Sequence, residues 1–149
     1  MRFADEPWVF DHLGLLVKNL AKGRAILTSM FDIREWTDEI VDAGNGVRIH
    51  FGRDPAGVVY ELLEPLDEDS PVYPALKSAK AILNHVAYRT RDIDAAGARL
   101  RKAGCAPVSP PRPAIAYGGR PIQFFVSPLR LIVELIEAPD HAHAYLRQA

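Results

Sequence analysis

Residues Val58 to Pro65 read VVYELLEP, an apolar, β-branched run with the carboxylate of Glu61 at its centre. Residues Leu131 to Pro139 repeat the pattern as LIVELIEAP, with Glu134 between Ile132-Val133 and Leu135-Ile136. Such a run reads as a strand covered on both faces. An ionised carboxylate inside it costs several kcal/mol unless something cationic meets it. That the chain does this twice decides the reading of the whole sequence.

The two stretches belong to a gapless internal repeat with an offset of 73 residues. Glu61 maps onto Glu134, Val59 onto Ile132, Leu62 onto Leu135, Leu63 onto Ile136 and Glu64 onto Glu137. Gly46 maps onto Gly119, Ile49 onto Ile122 and Phe51 onto Phe124. Leu20, Ala25 and Leu27 map onto Ile93, Ala98 and Leu100, and His12 maps onto His85. Each half therefore holds one histidine and one glutamate 49 residues apart.

Each half reads as strand, helix, then strands. WVFDHLGLLV and ILNHVAYRT are the first strands, GVRIHF and RPIQFFV middle ones, VVYELLE and LRLIVELIE the last. Asn19 caps a helix over about 20–30, and Asp92 caps one over about 93–103 that Gly104 closes. A further short strand falls near IREWTDEI, and a short helix follows Pro74. APVSPPRPAIAYGG is too rich in Pro and Gly for regular structure and reads as a loop near a site. The predicted fold is α+β: two tandem βαβββ modules, about 8–65 and 81–138, in one domain with a linker over 66–80. Residues 139–149 read as a short exposed helix.

Strands alternate faces, so the aliphatic set of the first strand, Leu13, Leu15 and Val17, packs under the helix and leaves His12 opposite. By the same rule Val47, Ile49 and Phe51 face the helix, which turns Arg48 and His50 towards His12; Gln123 follows in the second half. Two imidazoles and two carboxylates suit a borderline divalent ion, which supplies the counter-charge that the buried glutamates need. A lone His or Glu in a strand reads as structural; four in register read as a site. The predicted ligands of one divalent ion per chain, cobalt, nickel, manganese or zinc, are His12, Glu61, His85 and Glu134.

Composition bounds the rest. The chain has 149 residues, 48% hydrophobic and 25% charged, with 18 basic and 19 acidic side chains. That is a globular composition without a basic block, so nucleic acid and membrane surfaces are not expected partners. No apolar run approaches the ~20 residues of a membrane span. The single Cys105 and the lack of a signal-like N-terminus lead to an expected cytoplasmic location.

DHLGLLVKNL, YELLEPLDEDSP, LNHVAYRTRDIDAAGARLRKAG and GGRPIQFFVSPLRLIVELIE together resemble the vicinal oxygen chelate (glyoxalase/bleomycin resistance/dioxygenase) superfamily, and within it methylmalonyl-CoA epimerase-like proteins. The resemblance implies a cup-shaped mixed sheet around one ion, those four ligands, and a homodimer. It also implies an epimerase or isomerase acting through a metal-stabilised enolate on a carbonyl-activated small molecule such as an acyl-CoA thioester. Such epimerases carry an acidic residue just before the GVR strand, where this chain has Gly44. Glu134 is then the candidate base and His50 its candidate partner, with Arg48, Gln123 and Tyr117 as substrate-binding candidates. A lactoylglutathione lyase shares the same ligand set, and a non-catalytic binding or resistance protein of the same fold is the alternative of another class.

Overall fold

The computed structural model describes residues 7–78 and 83–147. The strand expected to open the second repeat is described from Leu83 on, and the first two residues of that repeat lie outside the described residues. Eleven strands occur among the described residues, with three α-helices, α1 (Leu20–Phe31), α2 (Tyr73–Ser78) and α3 (Ile93–Lys102). This is the expected α+β class. The chain divides into two compact units, one of His12–Asn84 with the chain from Ala142, the other of His85–His141 with the chain up to Asp11.

The unit of the first repeat is built from β1 (Val9–Leu16) from His12 on, with β2 (Glu35–Trp36), β3 (Ile40–Asp42), β4 (Val47–Arg53) and β5 (Val59–Pro65). β1 runs parallel to β5, with Gly14 opposite Glu61; β5 runs antiparallel to β4, and β4 to β2 and β3. α1 starts where predicted, because the Asn19 side chain accepts from the Lys22 amide at 2.9 Å. Its first amide, that of Leu20, donates to Glu64 at 3.2 Å. Leu20, Leu27, Ile33, Trp36 and Leu62 form the core between α1 and the sheet. Ordering these apolar side chains out of water is the main force that seats the helix.

The second repeat follows the same plan. β6 (Leu83–Arg89) runs parallel to β10 (Ile132–Ile136), which runs antiparallel to β9 (Arg120–Val126). Asp92 caps α3 through the Ala95 amide at 3.0 Å, and Gly104 takes φ +92° just past the end. Glu137 accepts the Ile93 amide at 2.9 Å, as Glu64 does for Leu20. The second glutamate of ELLE and of ELIE therefore satisfies an orphan helix amide 44 residues away. Phe125, Leu135, Ile93, Ala96 and Leu100 make the core under α3, joined by Trp8 from the chain's start. The register is duplicated too: Phe51 pairs with Glu61 and His50 with Leu62, as Phe124 pairs with Glu134 and Gln123 with Leu135.

Two expectations are corrected. The Pro-rich segment is not all loop: β7 (Ala106–Pro107) and β8 (Arg112–Ala114) pair with β9, and Ile115–Tyr117 form a 3-10 turn. These are short outer strands, where proline's missing N–H leaves no ladder partner unmet. The C-terminal segment is not a helix. It runs extended and ends in β11 (Leu146–Arg147), antiparallel to β2 with Leu146 opposite Trp36. His141, His143 and Tyr145 point inwards while Ala142 and Ala144 are exposed, which is strand alternation.

Candidate functional site

Each repeat carries one buried His–Glu pair. In the first, His12 Nε2 lies 3.5 Å from Glu61 Oε1, and both side chains are almost wholly excluded from solvent. In the second, His85 Nε2 lies 3.1 Å from Glu134 Oε1, again in a buried setting. The register explains both. His12 is two residues from Gly14, which pairs with Glu61, so the two side chains share one face of parallel strands. His85 stands in the same relation to Ala87 and Glu134.

The pairs fit a divalent ion. Two donors about 2.1 Å from a common ion at ordinary coordination angles stand about 3.0–3.4 Å apart, and the observed separations are 3.5 and 3.1 Å. Neutral imidazole with carboxylate is a donor set that zinc, manganese, cobalt and nickel accept. Within each repeat the buried pair, His12 with Glu61 and His85 with Glu134, thus has the chemistry and burial of residues that could hold such an ion.

An aromatic ring stands against each pair. Phe51, paired with Glu61, packs edge-on to His12 with ring centres 5.3 Å apart. Phe124, paired with Glu134, packs edge-on to His85 at 5.2 Å. Sequence reasoning missed both, having assigned them to the helix side. Their mutual offset of 73 residues was the signal.

That assignment reverses the place of three candidates. His50 is not on the face of His12. It pairs with Leu62 of the α1 core, stacks on Trp36 at 4.9 Å, and its Nε2 accepts from Arg24 Nη1 of α1 at 2.9 Å. Burial, followed by the nearby Arg24 cation, pushes its pKa below the usual histidine value. Because guanidinium only donates, Nε2 is the acceptor and Nδ1 holds the proton. Gln123 takes the equivalent place under α3, donating to the Ser109 carbonyl at 3.0 Å near Gly97. Arg48 shares the parity of His50 and lies within 4.0 Å of Glu39 and Glu64 at the partly exposed start of α1. Strand parity is why all three move to the helix side: both faces of β4 are buried around His50, and β9 keeps the same register for Gln123.

Tyr117 is buried, and its hydroxyl donates to Asp11 at 2.6 Å. Arg89 Nε lies 3.1 Å from the other oxygen of that carboxylate, and Arg89 Nη1 also donates to the Pro139 and His141 carbonyls. Gly44 leaves space where a side chain would first meet Asp42 Oδ1, at 3.6 Å. Asp42 is buried and accepts from the amide and side chain of Asn45.

Residues 11–124 match the model of the Glyoxalase/Bleomycin resistance protein/Dioxygenase superfamily, and the chain belongs to that superfamily. Among its relatives, an ethylmalonyl-CoA/methylmalonyl-CoA epimerase of Cereibacter sphaeroides is 38% identical over 65 residues, 43% of this chain and 48% of that protein. The match thus spans about half the length of that relative. Methylmalonyl-CoA epimerase from Mycobacterium tuberculosis superposes with a TM-score of 0.71 at 25% identity, covering 86% of each chain. A variant of the Streptomyces coelicolor methylmalonyl-CoA epimerase, in complex with 2-nitronate-propionyl-CoA, gives 0.70 at 26% identity, covering 87% of this chain and 97% of that one. A hypothetical protein from Bacillus halodurans C-125, at 21% identity and a TM-score of 0.77, shares the fold over 92% of this chain. Among the described residues no helix is long and apolar enough to cross a membrane.

Proposed function

We propose that this protein is a metal-dependent epimerase of a small acyl thioester carrying a second carbonyl group, of the methylmalonyl-CoA type, and that His12, Glu61, His85 and Glu134 are the ligands of its one divalent ion. The observation that carries the reading is the duplication of a buried His–Glu pair at ion-ligand spacing, 3.5 Å in one repeat and 3.1 Å in the other. The likeness to epimerases of acyl-CoA substrates supports the substrate class. When bound, the ion supplies fixed positive charge beside the carbonyl oxygens on which negative charge gathers as the α-proton leaves.

The chain's own residues do the remaining work. Glu134 is the base in this reading, its carboxylate held by β10 between Val133 and Leu135 of the α3 core. Burial keeps bulk water from competing for the proton and raises the strength of each electrostatic contact. Phe51 and Phe124 hold the His12 and His85 rings edge-on and so limit their rotation. His50, Gln123 and Arg48 take no part, since they serve the helix side.

The test is solvent exchange. Protein loaded with cobalt or manganese and given methylmalonyl-CoA in deuterated water should place deuterium at the α-carbon, read by mass spectrometry. Glu134→Gln should slow exchange by about a hundredfold or more, the scale of a general base. No exchange above the uncatalysed rate with methylmalonyl- or ethylmalonyl-CoA would overturn the substrate class.

A further inference from the structure

Within the unit of the first repeat, the face that carries His12 and Glu61 leads to a cavity at the ends of β1 and β5. Leu62 and Glu64 face α1, the one in its core and the other accepting the Leu20 amide. Alternation therefore puts Pro65 on the face of Glu61. Val17 also faces α1, beneath Gly23, and its amide continues the ladder to the Leu63 carbonyl at 2.9 Å. Lys18 thus turns to the face of His12. Pro65 and Lys18 line a cavity of about 410 Å³, together with Asp67 and Glu68 of the next turn and Tyr73, Leu76 and Lys77 of α2. Pro65, Tyr73 and Leu76 are half-buried and form its apolar floor, and the four charged residues are exposed at its rim. Asp67 closes its own turn by accepting the Asp69 amide at 2.9 Å. Among the described residues neither lysine has an ion-pair partner, and the Glu68 carboxylate and Tyr73 hydroxyl carry no hydrogen bond.

We propose that this cavity takes the adenine nucleotide end of a coenzyme A thioester whose acyl end reaches the His12–Glu61 pair. This deepens the proposed function and rests on it. A flat heteroaromatic base suits a floor made of a phenol ring, a proline and a leucine. Its amino group donates, and Glu68 offers a carboxylate to accept. Its phosphates are the natural counter-charge of Lys18 and Lys77, which bind them as point charges. The reach agrees as well. Pro65 stands four residues beyond Glu61 on β5, roughly 13 Å at ~3.3 Å per residue. The arm between the thioester sulfur and the first phosphorus has about 13 single bonds and extends about 15 Å, at the ~3.5 Å per three bonds of an extended chain. A ligand held at both ends spans the face with little slack, and a thioester cut short of its phosphates loses the second hold.

Free coenzyme A is the probe, since it carries the nucleotide without the acyl chemistry. Titrated into protein labelled with nitrogen-15, it should move the amide resonances of Tyr73 and Lys77, and pantetheine should leave them in place. By calorimetry, Lys18→Ala combined with Lys77→Ala should bind coenzyme A about tenfold more weakly than the wild type, and raised salt should erase most of that difference. Tyr73→Phe keeps the ring and should bind as the wild type does, whereas Tyr73→Ala should bind less tightly. In turnover, the preference for methylmalonyl-CoA over methylmalonyl-pantetheine, as a ratio of kcat/KM, should fall about tenfold in the double lysine variant, through KM and not through kcat. Equal coenzyme A affinity in the wild type and that variant, or unmoved Tyr73 and Lys77 resonances, overturns the nucleotide cavity. Coenzyme A that binds here in a protein showing no solvent exchange with malonyl thioesters supports the cavity and overturns the catalytic reading beneath it instead.

Discussion

At the scale of the residue, His50 and Gln123 show what a duplicated position keeps and what it changes. Both sit opposite a leucine, Leu62 and Leu135, and both lie under a helix. The residue on that helix differs: Arg24 in α1 meets His50, whereas its counterpart, Gly97, lies beside Gln123. His50 is neutral here, because burial and then Arg24 hold its pKa below the usual value, against weaker opposing effects of Asp38 and Glu39. The sign of its pH effect follows. Above the unfolded value, about 6.5, both states are neutral and the residue adds no pH dependence. As pH falls through that value the unfolded chain binds a proton that the folded chain resists, so stability drops, and the drop ends once pH passes the lowered folded pKa. His50→Gln, which installs the side chain of the second repeat, should therefore flatten the decline in melting temperature between pH 7.5 and pH 5. A decline as steep as that of the wild type would mean that His50 is charged in the fold.

At the scale of the element, the helices were legible and the faces of the strands were not. Asn19 and Asp92 announce their helices by side-chain chemistry alone, and the amide bonds at 2.9 and 3.0 Å follow. β4 defeats alternation because both of its faces are buried: Ile49 and Phe51 on one, His50 and Gly52 on the other. Hydrophobicity then picks the wrong side. Gly52 held the better clue, since Trp36 lies over it and only a residue without a side chain fits beneath. HAHAY misled differently: its period of two was hidden because alanine and histidine also suit a helix, and the strand pairing that decides the matter comes from residues over a hundred positions away. A side-chain carbon at Gly52 would come within 2.7 Å of the Trp36 ring. Gly52→Ala should thus destabilise by about 1–3 kcal/mol, the usual cost of overpacking, and shift Trp36 fluorescence. An unchanged melting temperature would show that Trp36 yields without cost.

At the scale of the whole molecule, the offset of 73 residues made the two-repeat plan and the four polar residues readable, because both repeats keep the same register around their glutamate. What no offset reveals is that the chain's ends exchange allegiance: Trp8 packs with the second repeat, and His143 with the first. The duplication also makes a claim about stoichiometry. If the two His–Glu pairs serve one ion, the loaded protein holds one equivalent, and His12→Ala and His85→Ala each weaken that single site to a similar degree, since each removes one imidazole from equivalent surroundings. The double variant then loses little more than either single one, because the losses fall on the same ion. If each pair binds on its own, the protein holds two equivalents and each variant drops cleanly to one. Elemental analysis of the wild type and the three variants, after dialysis against a fixed free concentration of zinc or cobalt, separates these outcomes. Two equivalents in the wild type would refute the shared ion while leaving both pairs intact as binding sites.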